Sequence, residues 1–330
     1  MTLDRWSKRM MAATVMMSLL FTGNTLTARS EAAPPPTEST QPPTTVPETA
    51  PPTTVPTEPE ENPVFAEIAA QSDGKQIFLW DGQAQQMLFC SGGETEKIYP
   101  ASITKLYASY VALMHLSPEE TVVAGEELRL VQPGSSRAFI SRGCELTVEM
   151  LVEAMLIPSG NDGAYVLSAA AGRAIAGDEK LDGASAVEIF IGEMNRVAAE
   201  LGFQNSHFMN PDGYHHEDHY TCPADAARVG MLALQNPVIA KYAAKSSDAV
   251  TFKSGEHIAW YNTNHLINPE SPYYSPSALG LKTGYTDAAG QCLLSAFRDG
   301  ERVYIIGIFG AEKQYRRYET AKALFEAATE

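Results

Sequence analysis

Basic side chains are scarce in this chain: 330 residues carry 24 Lys and Arg against 40 Asp and Glu, a formal net charge of −16. Binding nucleic acid needs a surplus of cations on the binding face, so this balance argues against any nucleic-acid partner. The same charge repels anionic surfaces at long range and leaves an anionic substrate to be gripped by a few local cations. Cysteine is also rare. Cys90, Cys144, Cys222 and Cys292 are too few for a disulfide scaffold, and no pairing is assigned to them. Cys292 lies in the apolar run Gln291 to Phe297 and reads as a small buried residue. The mostly apolar stretch from Met10 to Phe21 falls short of the roughly 20 residues of a membrane span.

That stretch follows Arg5, Lys8 and Arg9 and precedes small residues up to Ala33, the pattern of a cleaved export signal over residues 1–33. Ala28 and Ala32 both suit the cleavage point, and no cysteine nearby would support a lipoprotein-type anchor. Residues 34–63 hold 11 of the 21 prolines and repeat Pro-Pro-Thr-Thr-Val-Pro at Pro42 and Pro51. Such a tract favours extended polyproline II and cannot build a core, so it reads as a disordered linker. Residues 64–330 then form one globular domain without a second proline-rich break.

Within that domain, strand patterns sit at the two ends and helical patterns between them. Residues 75–81 and 86–90 predict a hairpin around Asp81-Gly82, and 292–298 with 302–309 another around Asp299-Gly300. Val187, Ile191, Met194, Val197 and Leu201 fall on one helical face, with Gly202 as a stop. Residues 147–157 predict an apolar helix ended by Pro158, and 312–328 a final helix. The expected class is α/β of the α+β kind: an antiparallel sheet formed by both chain ends, flanked by helices, with a helical lobe.

Three short motifs carry chemistry. Ser102 and Lys105, in Pro100-Ala-Ser-Ile-Thr-Lys105, stand three residues apart at the start of a helical pattern, which brings amine and hydroxyl to one face. The helix N-terminus favours a developing alkoxide there. Ser159-Gly160-Asn161 follows the apolar helix and offers a hydroxyl and an amide at a fixed point, although the same residues suit a helix cap. Lys282-Thr283-Gly284, with Tyr285 and Thr286, combines an ammonium, a hydroxyl and an open backbone against which a peptide can lie as an added strand.

In this order the motifs are the set shared by penicillin-interacting serine enzymes. The chain resembles the serine D-alanyl-D-alanine carboxypeptidases, the low-molecular-mass penicillin-binding proteins. Leu156 to Asp162, Asn210-Pro-Asp-Gly-Tyr214, His219-Tyr220 and Gly280 to Thr286 with Ala289-Gly290 extend the resemblance. It implies a β-lactamase/transpeptidase-like fold and removal of the terminal D-alanine from peptidoglycan stem peptides, in the cell-wall space of a bacterium. It also implies inhibition by β-lactams and no cofactor or metal. Ser102 is then the nucleophile, Lys105 its base and Ser159 a relay to the leaving amine. Asn161 binds the substrate amide, Lys282 and Thr283 the carboxylate side, and the amides of Ser102 and Tyr285 form the oxyanion hole. By position in the family's pattern, Arg317 is a candidate second cation for the carboxylate. Lys105 is expected to be neutral, its pKa lowered by burial and by the Lys282 ammonium.

Other readings are a catalytically weak penicillin-binding sensor or wall-binding module, and an endopeptidase acting on crosslinks. Against a class A β-lactamase, no Glu-x-x-x-Asn loop lies between Asn161 and Lys282 to supply a deacylating carboxylate. The run His215 to His219 follows Gly213 in a loop and reads as a solvated polar turn rather than a zinc site. Only 44 residues follow Thr286, so a C-terminal membrane anchor is not expected.

Overall fold

A computed structural model of the chain describes residues 62–330. The expected export signal and nearly all of the expected linker lie outside the described residues. Asn62 caps the first helix, α1 (Pro63–Ala70), by accepting from the Val64 amide, and Pro63 takes the first helical position, where its missing N–H costs nothing.

Five antiparallel strands form the central sheet: β1 (Gln76–Asp81), β2 (Gln86–Cys90), β7 (Ala278–Thr286), β8 (Gly290–Asp299) and β9 (Arg302–Ala311). Their order is β2-β1-β9-β8-β7, so the two chain ends meet where β1 pairs with β9. The C-terminal hairpin closes in two residues, with Asp299 opposite Arg302 and Gly300 at φ 55°. The first hairpin turns over residues 82–85, between the two expected strands. Asp81 Oδ1 accepts from the Gln83 and Ala84 amides at 2.8 and 2.9 Å, which spreads the turn to Gln85.

Both sheet faces are covered, and strand alternation divides the core accordingly. Ile77, Leu79, Leu293, Phe297, Ile306 and Ile308 pack against Tyr318, Leu324 and Phe325 of α8 (Arg316–Thr329) and Phe65 of α1. Phe78, Trp80, Leu294, Ile305 and Phe309 face the helical lobe. That lobe contains α2 (Thr104–Ala112), α3 (Val148–Leu156), α4 (Asn161–Ala176), α5 (Gly183–Glu200), α6 (Pro223–Gln235) and α7 (Pro237–Ala243). Between them run two small two-stranded sheets, β3 (Thr121–Val123) with β4 (Glu145–Thr147), and β5 (Ser247–Thr251) with β6 (His257–Tyr261). Every position of α2 from Thr104 to Ser109 is buried, so this helix is the axle of the lobe.

Local chemistry sets the helix ends. Thr147 caps α3 through the Met150 amide, and Asp182 caps α5 through the Ala184 and Ser185 amides. Gly177 and Gly202 adopt positive φ where α4 and α5 stop. All four cysteines are free thiols, and Cys292 is fully buried, as its apolar surroundings predicted.

Helices α4 and α5 cross at Gly172, where a Cβ would lie 1.8 Å from the Ala186 carbonyl oxygen. Gly192, on α5, has nothing within 4 Å. Gly172→Ala should therefore destabilise by about 1–3 kcal/mol through overpacking. Gly192→Ala should stabilise by roughly 0.5–1 kcal/mol through helix propensity. Thermal melts of the two variants check the opposite signs.

Candidate active site

A single 3₁₀ turn, Ala101–Ile103, feeds α2 and carries Ser102. Lys105 follows in the first turn of α2, and its Nζ donates to Ser102 Oγ at 2.8 Å and to the Asp212 carbonyl at 2.7 Å. The amine is fully buried, and burial lowers its pKa to about 8 against the opposing pull of Asp212 and Asp162. Burial is the leading cause. Lys282 is sealed in the same interior, and its pKa falls well below the ordinary lysine value through burial, then Lys105, then Arg317. Two amines sealed in the same interior cannot both hold a proton cheaply, and the one without a carboxylate acting on it yields first.

The backbone at Ser102 is held by close approach from two sides. Gly213, at φ 84°, leaves room for the Ala101 carbonyl, which a Cβ would meet at 1.8 Å. From the sheet, Gly284 of β7 lies where a Cβ would be 2.9 Å from both Ala101 Cβ and Ser102 N. Ala101 itself is at φ 47°, a conformation a non-glycine residue keeps only when its surroundings impose it.

Ser159 stands between α3 and α4 at φ 63°. The N-cap of α4 is Gly160, so Ser159 is not spent as a cap and its side chain joins the cleft wall. Asn161 opens α4, and its Nδ2 donates to Asp212 Oδ2 at 2.5 Å. Asp162 points the other way and pins a loop: its carboxylate accepts from the Ala138 and Ile140 amides at 2.8 and 3.0 Å. Trp260 Nε1 donates to the Ala138 carbonyl at 3.1 Å, and Asn161 N to the Ser136 carbonyl at 2.9 Å. Pro133 to Ser136 are thereby fixed as one wall of the cleft.

The opposite wall is β7, the edge strand of the sheet. Thr283 Oγ1 is hydrogen-bonded to Thr263 Oγ1, and Lys282 Nζ donates to the Thr283 carbonyl at 3.0 Å. Tyr285 is 57% exposed at the strand's rim. Arg317, in the first turn of α8, is buried. Its Nη1 donates to the carbonyls of Cys292 (2.9 Å) and Gly284 (3.3 Å), and its Nη2 to Tyr318 Oη (3.1 Å). Its Nε has no partner among the described residues. Ser102, Ser159, Asn161, Thr283, Gly284, Tyr285 and Arg317 all border one cleft of about 820 Å³. Lys105 and Lys282 lie behind its surface with no exposure.

The histidine run is split among separate tasks. His219 is buried, accepts from the Met209 amide at Nδ1 and bonds Thr104 Oγ1 through Nε2 at 2.8 Å. Burial lowers its pKa to about 3, so the ring is neutral. His215 packs edge-on against Tyr99. Residue-level reading missed Asp212, Thr263 and His265 as cleft residues. Asp212 lay in a recognisable motif without a stated role, and the other two carry no local signal.

A family model described as D-alanyl-D-alanine carboxypeptidase, of the peptidase S11 type, matches residues 61–313. The chain belongs to this family. It is 30% identical over 249 residues to the D-alanyl-D-alanine carboxypeptidase DacF of Bacillus subtilis (strain 168), a match covering 74% of this chain and 59% of that protein. It is 30% identical over 221 residues to the D-alanyl-D-alanine carboxypeptidase of Streptomyces sp. (strain K15), covering 65% and 70%. The crystal structure of the Streptomyces K15 DD-transpeptidase shares the fold, with a TM-score of 0.70 at 24% identity, over 78% of this chain and 97% of that one. The family match ends before α8, so Arg317 stands beyond it.

Gly213→Ala forces the Ala101–Ser102 backbone to move, because the obstructing atom is a carbonyl oxygen rather than a flexible side chain. We expect reaction at Ser102 to fall by roughly 100-fold, as for a misplacement of about 1 Å, while a folded thermal transition is retained. Labelling of Gly213→Ala by a fluorescent penicillin at the parent rate would contradict this.

Proposed function

We propose that the chain is a serine-type D-alanyl-D-alanine carboxypeptidase that removes the terminal D-alanine from peptidoglycan stem peptides through an acyl-enzyme on Ser102. One observation carries the reading: an amine with a pKa of about 8, sealed from water, donates to the Ser102 hydroxyl at 2.8 Å in the wall of an open cleft. The chain spans 59% of the length of the B. subtilis relative, so activity and substrate are inferred for the residues in hand.

In this reading Lys105 takes the Ser102 proton as the oxygen attacks the peptide carbonyl. The amides of Ser102 and Tyr285 receive the oxyanion. Ser159 gives its proton to the departing D-alanine nitrogen as the C–N bond breaks and is replenished from the Lys105 ammonium; water then attacks the ester, yields a proton to the Ser102 oxygen and releases the shortened peptide as its carboxylate. Asn161 holds the substrate amide, with the peptide laid along β7 as an added strand. The substrate's terminal carboxylate meets Thr283 and Arg317, which border the same cleft. β-Lactams enter the same path as mimics of the scissile amide.

We infer further that residues 1–33 direct export, that 34–63 are a spacer and that the catalytic domain acts in the cell-wall space of a bacterium. Sequence composition supports this reading. No helix among the described residues is long and apolar enough to cross a membrane.

Benzylpenicillin should leave its adduct on the peptide containing Ser102, and a pentapeptide ending in D-Ala-D-Ala should release free D-alanine. Ser102→Ala should do neither. A sensor would hold the penicillin adduct without turning over the peptide. The acylation rate should rise with pH through about 8, because the base is competent only once Lys105 has lost its proton. Lys105→Arg should lose on the order of 100-fold or more, since a guanidinium keeps its proton near neutral pH.

Arg317→Ala should lower kcat/KM on the order of 10- to 100-fold for peptides with a free C-terminus and leave their C-terminal amides nearly unchanged. Equal losses on both substrates would remove Arg317 from the carboxylate site.

A further inference from the structure

Asp212 has no part in the roles proposed above, yet it bonds two of the groups that do, Lys105 and Asn161. It is 1% exposed and still contributes to the cleft wall. Its backbone carbonyl accepts from Lys105 Nζ at 2.7 Å, its Oδ2 from Asn161 Nδ2 at 2.5 Å and its Oδ1 from the Tyr214 amide at 3.1 Å. The next residue, Gly213, packs on the Ala101 carbonyl. One short turn therefore contacts the turn bearing the nucleophile, the amine beside it and the amide of Asn161.

We propose that Asp212 is the positioning residue of the Ser102–Lys105 pair. Its carbonyl holds the amine on the serine, and its carboxylate favours the ammonium formed when Lys105 takes the serine proton. Its bond to Asn161 turns that amide so that Oδ1 is left for the substrate. The logic is that of a serine–base pair with a third group orienting the base, here with a lysine as base. The inference rests on Ser102 as nucleophile and Lys105 as base. Acylation of the unaltered protein at Ser102 tests that reading separately.

The electrostatics are consistent with this arrangement. Burial raises the Asp212 pKa, and Lys105 is the cation that draws it down; Asp212 in turn is the largest influence opposing the depression of Lys105. Asp162 acts on Lys105 in the same sense as Asp212. Lys282 faces the same interior, with Arg317 beyond it, and its own pKa is lowered. Tyr165, on α4, has its phenol pushed up by burial and by Asp212, and His219 is neutral. Asp212 differs from Asp162 in contact: the Asp162 carboxylate is occupied by loop amides, while the Asp212 carboxylate reaches a side chain of the cleft.

The test is the rate of acylation by benzylpenicillin from about pH 5 to 10 in the unaltered protein and in Asp212→Asn, which keeps the shape and removes the charge. Removing a negative charge lowers the Lys105 pKa, so the acid limb should move to lower pH by about one unit. The plateau should fall on the order of 10-fold, because the ammonium of the transition state loses its support. Asp212→Glu, which retains charge, should keep its acid limb near that of the parent. An unmoved limb in folded Asp212→Asn, or a shift to higher pH, would overturn the proposal and reduce Asp212 to a structural residue. If Asp212→Asn does not fold, NMR of the unaltered protein decides. One Asn161 Nδ2 proton should be shifted far downfield and protected from exchange, and two similar, freely exchanging protons would refute the assignment.

Discussion

The burial of one amine beside one hydroxyl constrains the rest of this molecule. Lys105 in water would carry its proton at any ordinary pH. Stripped of water it becomes a base near neutrality. The cost of that burial is met by its surroundings: an axial helix enclosed on nearly every side, a carbonyl for the second amine proton and two buried carboxylates within electrostatic reach. Those carboxylates stop the pKa from falling further, so the site balances desolvation against charge.

The sheet supplies the other half of the site through the same economy of space. Its edge strand β7 comes so near Ser102 that only glycine fits at position 284, and the turn at Gly213 closes from the opposite side. Positive φ values at Ala101, Ser159 and Leu281 fall at the cleft or beside it. Such strain persists only where packing over-determines the backbone, and here sheet and lobe both bear on the same few residues. The site is a seam between two faces of the core, and its precision depends on both.

Much of this architecture was legible in the sequence. The two hairpins, the apolar helix before Ser159, the helix stopped by Gly202 and the sheet built from both chain ends follow from periods of 2 and 3.6 and from turn residues. The error lies at a boundary: the last helix opens at Arg316 rather than Glu312. Which of Lys105 and Lys282 yields its proton first was not legible, because a local pattern cannot rank two amines that meet only after folding.

The sequence by itself determined which chemical groups are present, their local spacing and the secondary structure that carries them. Ser102 and Lys105 share a helical face because three residues make nearly one turn, and this holds in any fold. Tertiary structure alone decided that Asp212 would hold both Lys105 and Asn161, that Thr263 would bond Thr283, and that Arg317 would reach the Gly284 carbonyl. It also decided the pKa of each buried amine. These outcomes depend on the exclusion of water and on distances between segments remote in the chain. Neither quantity exists until the sheet and the lobe have closed on each other.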